Sequence, residues 1–250
     1  MRYFIYFAYD GSAYHGWQIQ PNGISVQEVF TQSIRVILRE KTVITAAGRT
    51  DAGVHAKKMV AHFDSERTDL DSEGFVRQLN SILPKDIAVH KVVPVKEDAH
   101  ARFDALTRKY EYRIYHGKNV FKDKFAVRMY HSLDFEQMNT AAQRLLEYKD
   151  FTSFSKLHTD TKTNDCKITR AFWQSCGDEW VFTIEADRFL RNMVRAIVGT
   201  LFDVGMGKMS VNDFCSIIEA KDRCRAGVSV PPRGLYLVDV SYPEEIFLLS

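Results

Sequence analysis

Residues 2–9 (RYFIYFAY) are dense in aromatic and β-branched side chains and read as a strand. A turn region over 10–23 leads to SVQE at 25–28, a capping box in which Ser25 accepts an amide proton three residues on and Glu28 reaches back. Val26, Val29, Phe30, Ile34, Ile37 and Leu38 then fall on one stripe at helical spacing, which predicts a helix ending near Glu40. Short apolar runs at 42–47 and 58–64 predict two strands, with GRTDAGVH (48–55) in the connection between them. A second helix is expected over 70–83, interrupted by Gly74 and stopped by Pro84, before the strand-like DIAVHKVVPV (86–95). The first hundred residues thus read βαββαβ.

From Arg108 the same order returns. RKYEYRIYH (108–116) reads as a strand, 134–148 as a helix and CKITRAFWQSC (166–176) and EWVFTIEAD (179–187) as strands. Helices follow from about Phe189 and Ser210, and GLYLVDV (234–240) closes the chain as a strand. This order predicts an α+β protein of two ferredoxin-like halves with antiparallel or mixed sheets, residues 1–105 and 106–250, joined around a central basic cleft that would take a ligand. The stretch GKNVFKDKFAVRMY (117–130) reads as a basic, irregular connection.

Composition narrows the function classes. The chain has 250 residues, 45% hydrophobic and 26% charged, with a mean hydropathy of -0.26, as in soluble globular proteins. Lys and Arg number 34 against 32 Asp and Glu, so any basic site must be local. The opening segment carries Asp10 and no small-residue cleavage site, and no apolar run reaches the ~20 residues of a membrane span, so a cytoplasmic location without membrane partners is expected. Four cysteines lack CxxC spacing and eight histidines lack HExxH or HxH spacing. No acid cluster fits an EF-hand and no GxSxG elbow occurs, so no metal site is expected, and the cysteines are expected to be reduced.

Three stretches offer chemistry. In GRTDAGVH, Gly48 and Gly53 suit a tight turn that exposes Asp51, and an extended backbone would point Arg49 and Asp51 the same way. A hairpin turn whose Asp and Gly serve geometry alone fits the same pattern. In RFLRNMVRAIVGTL (188–201), Arg188, Arg191 and Arg195 recur at helical spacing opposite an apolar side, either to face a cleft and an acid such as Asp51 or as a solvated face. In RKYEYRIY (108–115), Tyr110 and Tyr112 share a strand face among cations, as base-stacking rings do and as core tyrosines also do. The RNP1 pattern is absent. His15, His55 and His62 read as hydrogen-bonding residues rather than ligands.

Several segments in order resemble one family. YDGSAYHGWQIQ (9–20), SVQE, AGRTDAGVHA (47–56), HARFDA and RKYEYRIY (100–115), DFTSF (150–154), FLRNMVRAIVG (189–199) and GLYLV (234–238) together look like the bacterial tRNA pseudouridine synthase A family. The most divergent parts are 117–130 and 155–165. The resemblance implies isomerisation of uridine to pseudouridine at positions 38, 39 and 40 of the tRNA anticodon stem-loop, by a homodimer that contacts one tRNA with both subunits and needs no cofactor. It makes Asp51 the catalytic acid that attacks a flipped-out uridine and Arg195 its cation. Tyr110 stacks on the target base and takes part in proton removal, Leu235 packs on the nucleoside, and Arg49 fills the gap in the RNA stem. His55 lies inside the motif and is grouped with the substrate-binding residues. A non-catalytic RNA-binding protein on the same duplicated fold, and a hydrolase using Asp51, are the competing readings.

Overall fold

A computed structural model describes residues 1–156 and 163–248, so most of the divergent segment 155–165 lies outside the described residues. Among the described residues the chain runs β1 (Arg2–Tyr9), α1 (Val26–Leu38), β2 (Thr45–Ala46), β3 (His55–Asp64), α2 (Glu73–Ile82) and β4 (Ile87–Val95), the predicted βαββαβ. It continues with β5 (Thr107–His116), β6 (Val127–Met129), α3 (Phe135–Arg144), β7 (Ile168–Cys176), β8 (Glu179–Ala186), α4 (Met193–Gly205), α5 (Val211–Ala220) and β9 (Leu235–Ser241). The fold is α+β with mixed strand pairing. It divides into two compact units, Met1–Thr107 with Tyr236–Ser250, and Arg108–Leu235.

In the first unit the strands run β4-β1-β3-β9, antiparallel except for the parallel pair β3 and β9. β1 is buried on both faces because each face has its own cover. Phe7 stacks on Phe30 of α1 at 4.3 Å, while Phe4, on the alternate face, meets Tyr242 at 4.9 Å and Phe247 at 6.3 Å. This second cover explains a difference from the expected boundaries. The C-terminal residues were expected in the half 106–250, yet Tyr236–Ser250 groups with the first unit, where β9 pairs with β3 and the tail covers Phe4.

Helix α1 follows its apolar stripe. Ser25 Oγ accepts the Glu28 amide at 3.2 Å, and Val26, Phe30, Ile34 and Leu38 are buried while Val29 and Ile37 are half-buried. Helix α2 starts at Glu73 rather than Leu70, because Ser72 takes the cap position and accepts the Phe75 amide at 3.3 Å. The complete reciprocal capping box is found at α5, between Ser210 and Asp213.

In the second unit the order is β5-β8-β7, antiparallel, with β6 added parallel to β5. β6 lies where the irregular connection was expected, too short at Val127–Met129 to show a period. The largest local correction concerns α4. It begins at Met193, after Asn192 adopts a left-handed backbone (φ 67), so Arg188 and Arg191 precede the helix and the expected three-arginine helical stripe does not form.

Candidate active site

The turn carrying Asp51 is fixed by partners distant in sequence. β2 stops at Ala46, whose neighbour Ala47 still donates its N–H to Val60 O at 2.8 Å, and the chain then leaves the sheet before returning at His55. The Thr50 carbonyl accepts Trp17 N–H at 3.1 Å, and Thr50 Oγ1 shares a buried 2.8 Å hydrogen bond with the Tyr9 hydroxyl. Val54 N–H closes the turn on Asp51 O at 3.1 Å, and Gly53 N–H donates to Tyr14 O at 3.3 Å. Asp51 is half-buried at the head of this turn, and Arg49 is exposed beside it.

Glycine is needed here at one of the two motif positions and at two positions outside the motif. Gly53 has φ 76, as expected for a turn residue. Gly48 has no such backbone, and a Cβ there would meet nothing within 4 Å. The close approach is made instead by Gly11 and Gly16. A Cβ on Gly11 would lie 2.0 Å from Val54 O, and one on Gly16, at φ +88, would lie 2.6 Å from Thr50 O. Sequence reasoning missed this role, although both glycines stand in YDGSAYHGW, a stretch noted for its resemblance alone.

His55 is 2% exposed and belongs to the same clamp. Its Nδ1 accepts the Gly11 amide at 3.1 Å, and Asp10 Oδ1 lies 3.1 Å from the same nitrogen. One nitrogen cannot accept the amide and donate to the carboxylate at once; the amide bond assigns it the acceptor role while the ring is neutral. The ring stacks on Tyr236 at 4.7 Å.

Tyr110, Arg195 and Leu235 lie in the second unit. Tyr110 and Tyr112 share a face of β5 and both are buried, with different neighbours. Tyr112 is fully buried against Phe202 of α4 and donates its hydroxyl to Pro231 O at 3.0 Å. Burial raises its phenol well above the ordinary value, so it is a core tyrosine. Tyr110, nearer the strand's start, meets the Phe189 ring edge-on at 5.1 Å. Arg195, in the first turn of α4, donates from Nε to Val230 O at 2.7 Å, and its carbonyl accepts Val230 N–H at 3.2 Å. Leu235 is buried at the start of β9. Arg49, Asp51 and His55 are thus gathered by the first unit and Tyr110, Arg195 and Leu235 by the second.

Among the described residues no three His, Cys, Asp or Glu side chains group to hold a metal ion. The cysteines are free, and burial pushes the Cys166 thiol up to about 12. No described helix is long and apolar enough to cross a membrane.

Over residues 5–104 and 141–243 the sequence matches the tRNA pseudouridine synthase family. The chain belongs to that family. The tRNA pseudouridine synthase A of Bacteroides fragilis is 60% identical over 247 residues, 98% of each chain. That of Porphyromonas gingivalis is 54% identical over 250 residues, 99% of each chain, and that of Exiguobacterium sibiricum 39% over 236 residues, 94% of each. The matched stretches contain Arg49, Asp51 and His55 on one side and Arg195 and Leu235 on the other, whereas Tyr110 falls between them. Membership in this pseudouridine synthase family therefore spans both units.

Proposed function

We propose that the chain isomerises uridine to pseudouridine at positions 38, 39 and 40 of the tRNA anticodon stem-loop, with Asp51 as the nucleophile on a flipped-out uridine. The observation that carries this reading is the setting of Asp51 in a chain of this family: a half-buried carboxylate at the head of a turn locked by backbone bonds. Such a carboxylate is preorganised, which is what covalent catalysis asks of a nucleophile. The base leaves C1′, turns, and rejoins through C5; the C5 proton departs and N1 gains one. Atoms and electrons balance without a redox partner or group donor, so no cofactor is required.

The remaining roles follow the resemblance. Tyr110 stacks on the target base and assists removal of the C5 proton, help that is typically worth about two to four powers of ten in rate. Arg195 has the part of the cation that serves the nucleophile, Leu235 packs on the nucleoside, and Arg49 offsets part of the few kcal/mol that flipping costs. His55, buried and bonded to the Gly11 amide, acts as a positioning residue for the Asp51 turn. The working form is a cytoplasmic homodimer gripping one tRNA, which suits a net charge of only +2 per chain.

Asp51→Asn is expected to abolish pseudouridine formation in a tRNA transcript while leaving most tRNA binding in place. Pseudouridine formed by that variant at the parent's rate refutes the nucleophile. Release of free uracil or phosphate by the parent refutes isomerisation.

A further inference from the structure

Large rings stand in water on both sides of β6: Phe121, in the loop between β5 and β6, is 90% exposed, and Tyr130, just past β6, is 77% exposed. The loop is nonetheless built: Phe121 N–H donates to Asn119 Oδ1 at 3.0 Å and Ala126 N–H to Lys122 O at 2.9 Å. Lys122 Nζ pairs with Glu179 at 2.9 Å and with Asp178, and the Tyr115 hydroxyl donates to Asp123 at 3.4 Å. The local acids are thereby engaged.

Two arginines flank the root of this loop. Arg128 is the register partner of Tyr115 and its guanidinium lies 4.7 Å from the centre of the Tyr130 ring. Arg233 lies in the turn Pro232–Gly234, pressed on β5 so closely that a Cβ on Gly234 would be 2.9 Å from Tyr112 Cζ. Both positive charges act on Tyr115, opposing the rise that burial gives its phenol. In each arginine Nε is buried with no hydrogen-bond acceptor among the described residues. Nε of neighbouring Arg113 is buried in the same way, but its Nη atoms pair with Glu111 at 2.7 Å and Glu179 at 3.8 Å.

We propose that Phe121, Tyr130, Arg128 and Arg233 form an RNA-binding surface of the second unit, the arginines taking backbone phosphates and the rings stacking on unpaired bases. A guanidinium without a carboxylate partner fits a many-oxygen anion, and an exposed ring beside it fits any base face. A two-fold contact with a second copy would set this patch against itself, bringing its like charges together. The residues are distinct from those assigned to the reaction, and the ligand rests on the proposed tRNA substrate.

The test is equilibrium binding of an unmodified tRNA transcript to the full-length protein across a KCl titration. The double variant Arg128→Gln/Arg233→Gln is expected to lose about tenfold or more in affinity at 0.1 M salt and to flatten the slope of log K against log salt by about 1.5, as two lost phosphate contacts require. Phe121→Ser is expected to lose about fivefold or more with the slope unchanged, since stacking carries no counter-ions. Phe121 has almost no packing to lose, so this variant remains a test if the double variant is unstable. Parental affinity and slope in a folded double variant, or parental affinity in Phe121→Ser, overturn the proposal. So does a change of oligomeric state in Phe121→Ser with tRNA affinity intact, which would assign the face to protein contact. Pseudouridine formation by the parent is scored separately: a parent that binds tRNA without converting it refutes the reaction, while the slopes still judge this surface.

Discussion

The segment that carries Asp51 and the segment that receives Arg195 are both pressed against a glycine, and they differ in what surrounds that contact. The Asp51 turn sits on Gly11, where a Cβ would lie 2.0 Å from Val54 O, and is further tied by Trp17, Tyr14 and a buried Tyr9–Thr50 bond. The segment that receives Arg195 sits on Gly199 of α4, where a Cβ would lie 1.9 Å from Val228 O. Around it Val228 is exposed, although the segment is also tied, by the two Arg195–Val230 bonds, by Gly227 N–H to Thr200 Oγ1 at 2.9 Å, and through Ser229 Oγ, which accepts from Asn192 Nδ2 at 2.6 Å and Arg223 Nη2 at 2.9 Å. Equal steric demand thus meets a buried residue, Val54, in one unit and a solvent-exposed one, Val228, in the other. The positions of Asp51 and Arg195 are set here by backbone packing from glycines that carry no side chain.

Two substitutions can break this comparison. Gly11→Ala must displace backbone that is bonded on several sides, and we expect a loss of about 3 kcal/mol or more in urea unfolding, the upper end of overpacking costs. The pseudouridine-forming rate of the folded fraction should fall with it, because the displaced atoms belong to the turn of Asp51. Gly199→Ala meets an equally short contact, but Val228 can move outward and alanine gains roughly 1 kcal/mol of helix propensity over glycine. A smaller loss of about 1–2 kcal/mol is expected by the same measurement. Equal losses in the two variants would show that surroundings do not matter and would remove the distinction.

Much of this arrangement was legible in the chain, and what was not has identifiable causes. Elements with a sustained pattern, such as β1, α1 and β5, could be read because one stripe or alternation repeats over several turns or residues. β6 has three residues and therefore no period. The start of α4 was misplaced because Arg188, Arg191 and Arg195 keep helical spacing through a break, and the only local mark is Asn192, a residue type that tolerates the left-handed backbone it adopts. Asp51 was readable as an acid on a turn, since Gly53 marks the turn. That the turn rests on Gly11 and Gly16 was not, because those contacts join residues about forty positions apart and glycine carries no trace of its partner.

The mildest test concerns how the first unit holds its loops. β3 carries a buried histidine near each end, and each accepts a backbone amide on Nδ1: His55 from Gly11 and His62 from Ala101, both at 3.1 Å. His62 also faces His100, whose ring lies 4.6 Å away, and Arg2, while Asp64 and Asp104 act in the opposite sense. Burial first, then the nearby positive charge, pushes its pKa down to about 4, against an ordinary value of 6.5. The unfolded chain therefore binds more protons than the folded one between these values. This contribution is full above pH 6.5 and is lost as the pH falls toward 4. Between pH 6 and pH 5 it should remove about 1 kcal/mol of unfolding free energy, and His62→Asn, which does not titrate, should lack that part of the slope. Identical pH dependence in parent and variant over this window would mean that the Ala101 loop is not held by a neutral imidazole, and that amide-to-histidine clamps are not a shared device of this unit.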